Sequence, residues 1–579
     1  MNNKIFTGCL FAASMLFTTS CSDFLTEDPK GKITPDSFYS NQNEVDMAVH
    51  SLYAMVQGFQ CNSNPMIMQC QGDDVTSSNN KGAYLSSDAF EVPSDAKGLE
   101  DGWMRLYRIV YAANSIIDNV PGADISDENK NLAMGQAYYW RAFAYFSLVR
   151  LYGPIPMNLH NENDFNQATL MDVAGVYEQI LTDLTAAEAC NLPAQYTGTP
   201  QSINGQNQYV SQQAVKATMA AVYMSKAGYP LKDNTSYKKA AEKAWEVIQG
   251  VNNGTYKHSL LSDWADVYSF GNNHHDETIL GIDYKTTPGG WSDGDSQFSS
   301  CHQFASVFGG WGDFLPERKF WTNFPEGPRK DAVYAKEILV KEPVYSNGQL
   351  QQSGVTVDWW ATKDGEPYNG SNAVISEYRP MFISFTVNKD PISGSFVEDR
   401  YDFTAPFWAG MCIGKRHHLI RYSEVLLWYA ESAARAGMDI TEARKALKEV
   451  RSRAYSDVAK INEVDNMDAS TLAEAAYSEH GYEVAGYTLS MVTRRSDEFR
   501  MERLKNHFDY RTGDQNVVIV PKGTQTKSMD AEGNAFTYTL KEDLIIREDK
   551  EITATWNGES SIYHNYPPKE VEKNPNLKR

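Results

Sequence analysis

The run LAMGQAYYWRAFAYFSLVRLYG, from Leu132 to Gly153, carries apolar residues on most faces of a helix, and Gly153-Pro154 ends it. A helix with no polar face has to lie inside the protein with other elements around it. Further helices fit beside it. Ser211 to Gly228 is amphipathic through Val215, Met219, Val222 and Tyr223; Gly228-Tyr229-Pro230 breaks it, and a second periodic stretch runs from Tyr237 to Ile248. Ala217, Ala220 and Ala221 on the first and Ala240, Ala241 and Ala244 on the second allow close antiparallel packing, the unit of a tetratricopeptide-like helical hairpin. Tyr422–Ala436 and Thr441–Arg453 repeat the pattern around Gly437. Thr441 and Glu442 favour the second helix's start, and Lys448, Arg451 and Arg453 suit the negative end of its dipole.

Between about Lys257 and Lys415 the character changes to short β-prone pieces, TILGIDY and MFISFTV, separated by Gly, Pro and Asp clusters. The expected fold is therefore mainly α: a tetratricopeptide-like helical-hairpin scaffold over 41–256, completed by a helical and tail segment over 416–579. A loop-rich insert with short β-strands, 257–415, sits on it.

At the N-terminus, Lys4 precedes the apolar stretch Ile5 to Phe17, too short to span a bilayer and laid out as a secretory signal. Thr18, Thr19 and Ser20 supply small residues before Cys21, although a lipobox usually has an aliphatic residue where Thr18 stands. Residues 1–20 read as a lipoprotein signal peptide, Cys21 as the lipidation site and 21–40 as a polar tether. Two acyl chains there give stable attachment to a membrane without crossing it.

The 579 residues carry a net charge of −21, which opposes phosphate backbones and excludes nucleic acid as an expected partner. Beyond Cys9 and Cys21, five cysteines remain, without CxxC or zinc-ligand spacing; Cys61 and Cys70 could close a loop. HHDE at His274 to Glu277 lacks an HExxH pattern or a distant ligand pair, and His417-His418 is similar, so neither a metal nor a cofactor is expected. No G-x-S-x-G elbow, P-loop or Rossmann fingerprint appears, and no motif nominates a carboxylate pair for glycoside hydrolysis. An enzyme is the weaker class.

Twelve Trp, 33 Tyr and 25 Phe point instead to stacking on flat ligand faces, because several stand beside Gly, Asp or Ser in segments without helical period. PGGWSDGDS around Trp291 and FGGWGDFLPE around Trp311 and Phe314 are the leading candidate loops: glycines turn the backbone tightly, and an adjacent Asp accepts hydrogen bonds. DWW, with Trp359 and Trp360, is the third. Trp103 and Trp140 lie in helical motifs and read as core.

Six segments in order resemble the SusD/RagB family of Bacteroidetes surface lipoproteins. They are CSDFLTEDPKGKITPDSFYSNQNEVDMAVHSLY, WMRLYRIVYAANSIID, WRAFAYFSLVRLYGPIPM, IRYSEVLLWYAESAARAG, KEVRSRA and YHNYPPKEVEKNPNLKR. Gly486-Tyr487, TRRSDEF and the YHNY of the tail depart from the family's usual residues, in what read as scaffold regions. The resemblance implies a non-enzymatic cell-surface glycan binder anchored in the outer membrane by lipid, delivering its ligand to a SusC-like TonB-dependent transporter. A peptide-binding, RagB-type uptake lipoprotein is the alternative, and a glycoside hydrolase the weaker one. It also places Asp73 and Asp74, in the early QGDDV loop, at a ligand-contacting position. Pyranose rings suit such sites, since their C–H faces sit on aromatic rings while Asp, Asn and Arg bond the hydroxyls.

Overall fold

The computed structural model describes residues 38–61, 70–77, 82–161, 164–285, 296, 311–341, 344–347, 349–363, 366–367, 379–385, 388–389, 396–398, 414–513, 517–547 and 554–578. The scaffold helices are α1 (Gln42–Cys61), α2 (Lys97–Asn119), α3 (Asp127–Tyr152), α4 (Val173–Ala189), α5 (Gln212–Ala227), α6 (Ser236–Asn252), α7 (Tyr422–Arg435), α8 (Thr441–Ala454), α9 (Ala469–Glu483), α10 (Arg494–Arg500) and α11 (Leu504–Thr512). Consecutive helices from α2 to α8 pack side by side, and α9 closes onto α7. Among the described residues no helix is long and apolar enough to cross a membrane.

The run without a polar face becomes the centre of this array. Sixteen of the 26 residues of α3 are buried, so it is enclosed by α1, α2 and α4 instead of forming an outer layer. Ser126 caps its start by accepting from the Asn129 N–H, with Asp127 and Glu128 at the positive end of the dipole. Trp140, fully buried, meets Tyr53, Tyr139 and Phe143 edge-on at centroid distances of 5.4, 5.0 and 5.3 Å. The polar motif residues face inward too. Arg141 grips Asp183 of α4 bidentately at 2.8 and 2.7 Å and donates to Asn114 Oδ1 of α2 at 2.9 Å. Asn114 in turn donates to the Asn158 carbonyl, and the Tyr107 hydroxyl to that of Pro156. One guanidinium thus ties three helices and the exit loop of α3. The YHNY segment docks on the same place, with Tyr566 bonded to the Pro154 carbonyl and packed against Trp103 and Tyr152. In the α5–α6 hairpin, Ala217, Ala220, Ala221, Ala240, Ala241 and Ala244 are all buried, as expected of two closely packed helices.

Among the strands are β1 (Thr278–Ile282), β2 (Glu337–Lys341), β3 (Val355–Asp358), β4 (His417–Arg421), β5 (Val517–Val520), β6 (Gln525–Met529), β7 (Ala535–Thr539) and β8 (Leu544–Arg547). They form antiparallel pairs β1–β4, β2–β3, β5–β8 and β6–β7. TILGIDY supplies β1, whose partner β4 leads directly into α7; MFISFTV contributes only Met381–Phe382, paired with Tyr334–Ala335. The C-terminal segment, read as helical with a tail, also holds the strands β5 to β8. Their Val518 and Val520 share a small core with Ile338, Leu339, Val357, Trp359 and Trp360 from the insert.

A buried ionic network joins insert and scaffold. Glu483, at the end of α9, accepts from Arg329 at 2.7 Å, Arg421 at 2.8 Å, Arg453 at 2.6 Å and the Trp264 indole at 3.0 Å. Arg329, on the short insert helix Pro328–Val333, also reaches Glu479 at 2.5 Å, and Arg451 reaches the same carboxylate at 2.8 Å. Glu277, of the HHDE tetrad, pairs with Arg421 and Arg453. Its neighbours are engaged as well: His275 Nε2 bonds the Val267 carbonyl at 3.1 Å, and His274 meets Asp283 at 3.1 Å. Burial by itself would raise the Glu483 carboxyl, but Arg453, Arg421 and Arg329 hold it well below the usual carboxylate range.

Removing one partner from such a cluster strands the rest in a low dielectric, so Glu483→Gln is expected to cost about 3–5 kcal/mol. Trp140→Ala, which leaves a cavity, is expected to cost about the same. Denaturant titration of both variants checks this; a loss under about 1 kcal/mol for Glu483→Gln would show that the network relaxes or takes up water.

Candidate functional site

Two of the loops singled out in the sequence become neighbours. Val75 and Thr76 pair antiparallel with Pro316 and Leu315, and the Glu317 N–H donates to the Asp74 carbonyl at 3.1 Å. The QGDDV turn and the end of FGGWGDFLPE therefore form one structural unit. It abuts α10 and α11, and a cleft of about 210 Å³ opens where these elements meet.

Asp73 lies in this cleft. Arg494, in the first turn of α10, holds it bidentately at 2.6 and 2.9 Å, and the Asp73 N–H donates to Glu498 Oε2 at 2.9 Å. Arg494 and Glu498 are one helical turn apart, so they present to the same side. Burial opposes the charge on Asp73, but Arg494 prevails and keeps its carboxyl low. Glu498 goes the other way: burial and then the negative charge of Asp73 push it well above the usual carboxylate range. From α11 come Asn506, His507 and Tyr510; burial lowers His507 to about 3, leaving the imidazole neutral. Tyr510, half-buried, supplies aromatic surface, with Lys319 Nζ 4.1 Å from its ring centre, whereas Phe320 lines the wall but is itself buried. The cleft thus combines an accessible aromatic ring with amide, imidazole, ammonium and carboxyl groups, a set suited to a polyhydroxylated ligand.

The other candidates separate by burial. Trp311 is half-buried against the aromatic cluster that contains Phe320 and does not line the cleft. Phe314 is fully buried in that cluster, edge-on to Tyr84 at 5.5 Å. Trp359 and Trp360, 0% and 5% exposed, are core residues. They pack on each other and on Trp321, and the Trp360 indole donates to Thr526 at 3.1 Å. Phe314, Trp359 and Trp360 are thus corrected from stacking surface to core: packing against residues distant in the chain covers these rings, so they offer no face to a ligand. Trp291 lies outside the described residues.

Asp74 points away from the cleft and accepts from the Gly486 N–H at 2.8 Å. Gly486 has φ +70°, and a side chain there would run into the Phe382 ring, so this close approach requires glycine. The residues that sequence reading missed are Arg494, Glu498, Asn506, His507, Tyr510 and Phe320. TRRSDEF carried a signal, an Arg and a Glu at helical i,i+4 spacing, but nothing local indicated that Asp73 would lie against it.

Burial, reinforced by the charge of Asp73, raises the Asp74 carboxyl from 3.8 to about 7. A carboxyl raised in the folded state favours folding least at high pH: its penalty grows between about pH 4 and 7 and is complete above that. Asp74→Asn keeps the acceptor for Gly486 without the charge. It is expected to melt above the parent at pH 8, by a margin that shrinks toward pH 4; an equal margin at both ends would assign the effect to packing.

Residues 23–224 match a family described as starch-binding and associating with the outer membrane, and residues 408–579 match the SusD family. A SusD-like protein of Bacteroides ovatus is 26% identical over 591 residues, covering 98% of this chain and 96% of that one. The fold is shared with a SusD homolog from Bacteroides thetaiotaomicron (TM-score 0.68, 18% identity, 94% of this chain and 97% of that one). It is also shared with a crystal structure described as with xylogluco-oligosaccharide (TM-score 0.63, 19% identity, 92% and 98%). The two matched segments hold the helices α1 to α4, most of α5 and α7 to α11, the motif residues Trp103, Asn114 and Arg141 among them, and on this ground the chain belongs to the SusD/RagB family.

Proposed function

We propose that this protein is a cell-surface glycan-binding lipoprotein that captures oligo- or polysaccharide and passes it to a SusC-like TonB-dependent outer-membrane transporter, without cleaving it. The observation that carries the reading is the cleft of about 210 Å³ around Asp73, where aromatic rings and hydrogen-bonding groups converge on one small volume. Support comes also from the family description and from the structural neighbour described with xylogluco-oligosaccharide. In this reading Tyr510 takes a sugar C–H face, while Asn506, Glu498 and Lys319 bond hydroxyls. Trp311 and Trp291 are proposed as further stacking residues. Attachment is through lipid on Cys21.

Tyr510→Ala with Asn506→Ala is expected to weaken binding about thirtyfold, the loss of roughly 2 kcal/mol. Calorimetry with a glycan identified on an array measures this. Unchanged affinity in that variant and in Trp311→Ala moves the site elsewhere. Capture of peptides in place of glycans, or release of reducing ends from a bound glycan, would each replace the reading.

For the anchor, Cys21→Ala is expected to leave the membrane fraction or to remain unprocessed. Palmitate labelling reports it, and continued incorporation in the variant rules out Cys21 as the lipidated residue.

A further inference from the structure

The α10–α11 pair has a second side. Glu498, Arg503, His507 and Tyr510 face the Asp73 cleft, whereas Phe499 and Leu504, their sequence neighbours, face a different cleft of about 300 Å³. One wall of this second cleft is Trp556, half-buried, its ring held by Phe90 at 5.7 Å and Phe508 at 5.3 Å. The other wall is Tyr229, edge-on to Phe499 at 5.4 Å, whose hydroxyl donates to Glu559 at 2.9 Å. Tyr229 stands there because the α5–α6 turn docks on the end of α10: its N–H donates to the Arg500 carbonyl at 2.8 Å, and any side chain at Gly228 would collide with that carbonyl. Both aromatic walls are therefore preorganised, which lowers the ordering cost of binding.

Two lysines near the rim already have counter-charges: Lys505 pairs with Asp509 at 2.6 Å, and Lys232 with Glu502 at 2.8 Å. The Glu559 carboxylate is engaged by the neutral Tyr229 hydroxyl. An anionic ligand would have to displace the carboxylate partners of the lysines. A cationic one would meet the ammoniums themselves, Lys505 at 6.0 Å from the Trp556 ring centre and Lys232 at 5.9 Å from that of Tyr229. A purely apolar one would leave this polar rim against its surface. A neutral sugar meets both conditions, since it lays a C–H face on an indole and offers hydroxyls that donate and accept.

We infer that the Trp556–Tyr229 cleft is a second binding site for neutral saccharide, placed back to back with the Asp73 cleft on one helical pair. The inference rests on the glycan-binding reading above. Two sites on one rigid support let a long polysaccharide engage both, so affinity for polymer exceeds what either cleft provides.

The test is affinity electrophoresis of the purified protein in native gels containing xyloglucan, xylan, barley β-glucan, galactomannan or amylopectin. Trp556→Ala with Tyr229→Ala is expected to bind the retarding polysaccharide about tenfold more weakly than the parent. Combined with Tyr510→Ala and Asn506→Ala, it is expected to run unretarded. A second readout avoids dependence on the folding of the variant. In the parent labelled with 5-fluorotryptophan, the Trp556 resonance, assigned through Trp556→Phe, is expected to shift when an oligosaccharide of the retarding polysaccharide is added. Unchanged retardation of the double variant or a stationary Trp556 resonance overturns the second site and leaves the first intact. A parent retarded by none of the five overturns the glycan reading and this inference with it.

Discussion

The Glu483 carboxylate is the point on which the rest of the structure depends. Three guanidiniums, from the insert helix, from β4 and from α8, converge on it at the end of α9, and all four side chains are almost wholly withdrawn from water. In a low dielectric, charges so placed are tolerable only in company, and breaking one contact leaves the others uncompensated. That condition fixes the position of the insert relative to the helical array through directional bonds, where apolar packing alone would allow sliding. It also explains why a chain with so many buried arginines folds at all: Arg329, Arg421, Arg451 and Arg453 are matched by Glu277, Glu479 and Glu483, with Glu424 and Glu463 at the margins.

The helical pair that carries half of the proposed Asp73 site lies just beyond this point in the chain. α9 ends at Glu483, and three residues later Gly486 receives Asp74, which sets the depth of the QGDDV turn. Eight residues on from Gly486, Arg494 takes hold of Asp73. The anchored end of α9 therefore determines where the two halves of the Asp73 cleft meet, and the helical pair that follows presents one side to each cleft. A binding site on rigid helices and a clamped turn holds its geometry before ligand arrives, which reduces the ordering cost of recognition.

Trp359 and Trp360 illustrate the limits of reading function from local composition. A WW pair beside Asp in a Gly- and Pro-rich stretch has the chemistry of a stacking platform, yet β3 pairs with β2 and packs under β6, so both rings are core. The difference lies in contacts with β6, such as the Trp360 indole on Thr526, 166 residues further along, for which the local sequence carries no signal. TRRSDEF errs in the opposite direction. It read as a scaffold departure, and in the folded chain its Arg494 and Glu498 are the partners of Asp73.

The helical scaffold is legible in the sequence alone. The apolar run of α3, the alanine faces of α5 and α6, and the breaks at Gly153 and Gly437 are periodic signals within about twenty residues, the range over which helix geometry is local. The order of motifs also carried the family. Which aromatic rings stay near the surface, which carboxyls are pushed up or held down, and which loops share a cleft emerge only on folding. Those outcomes follow from burial and from contacts between residues more than four hundred apart, such as Asp73 with Arg494, and burial is a property of the assembled fold that no window of sequence contains.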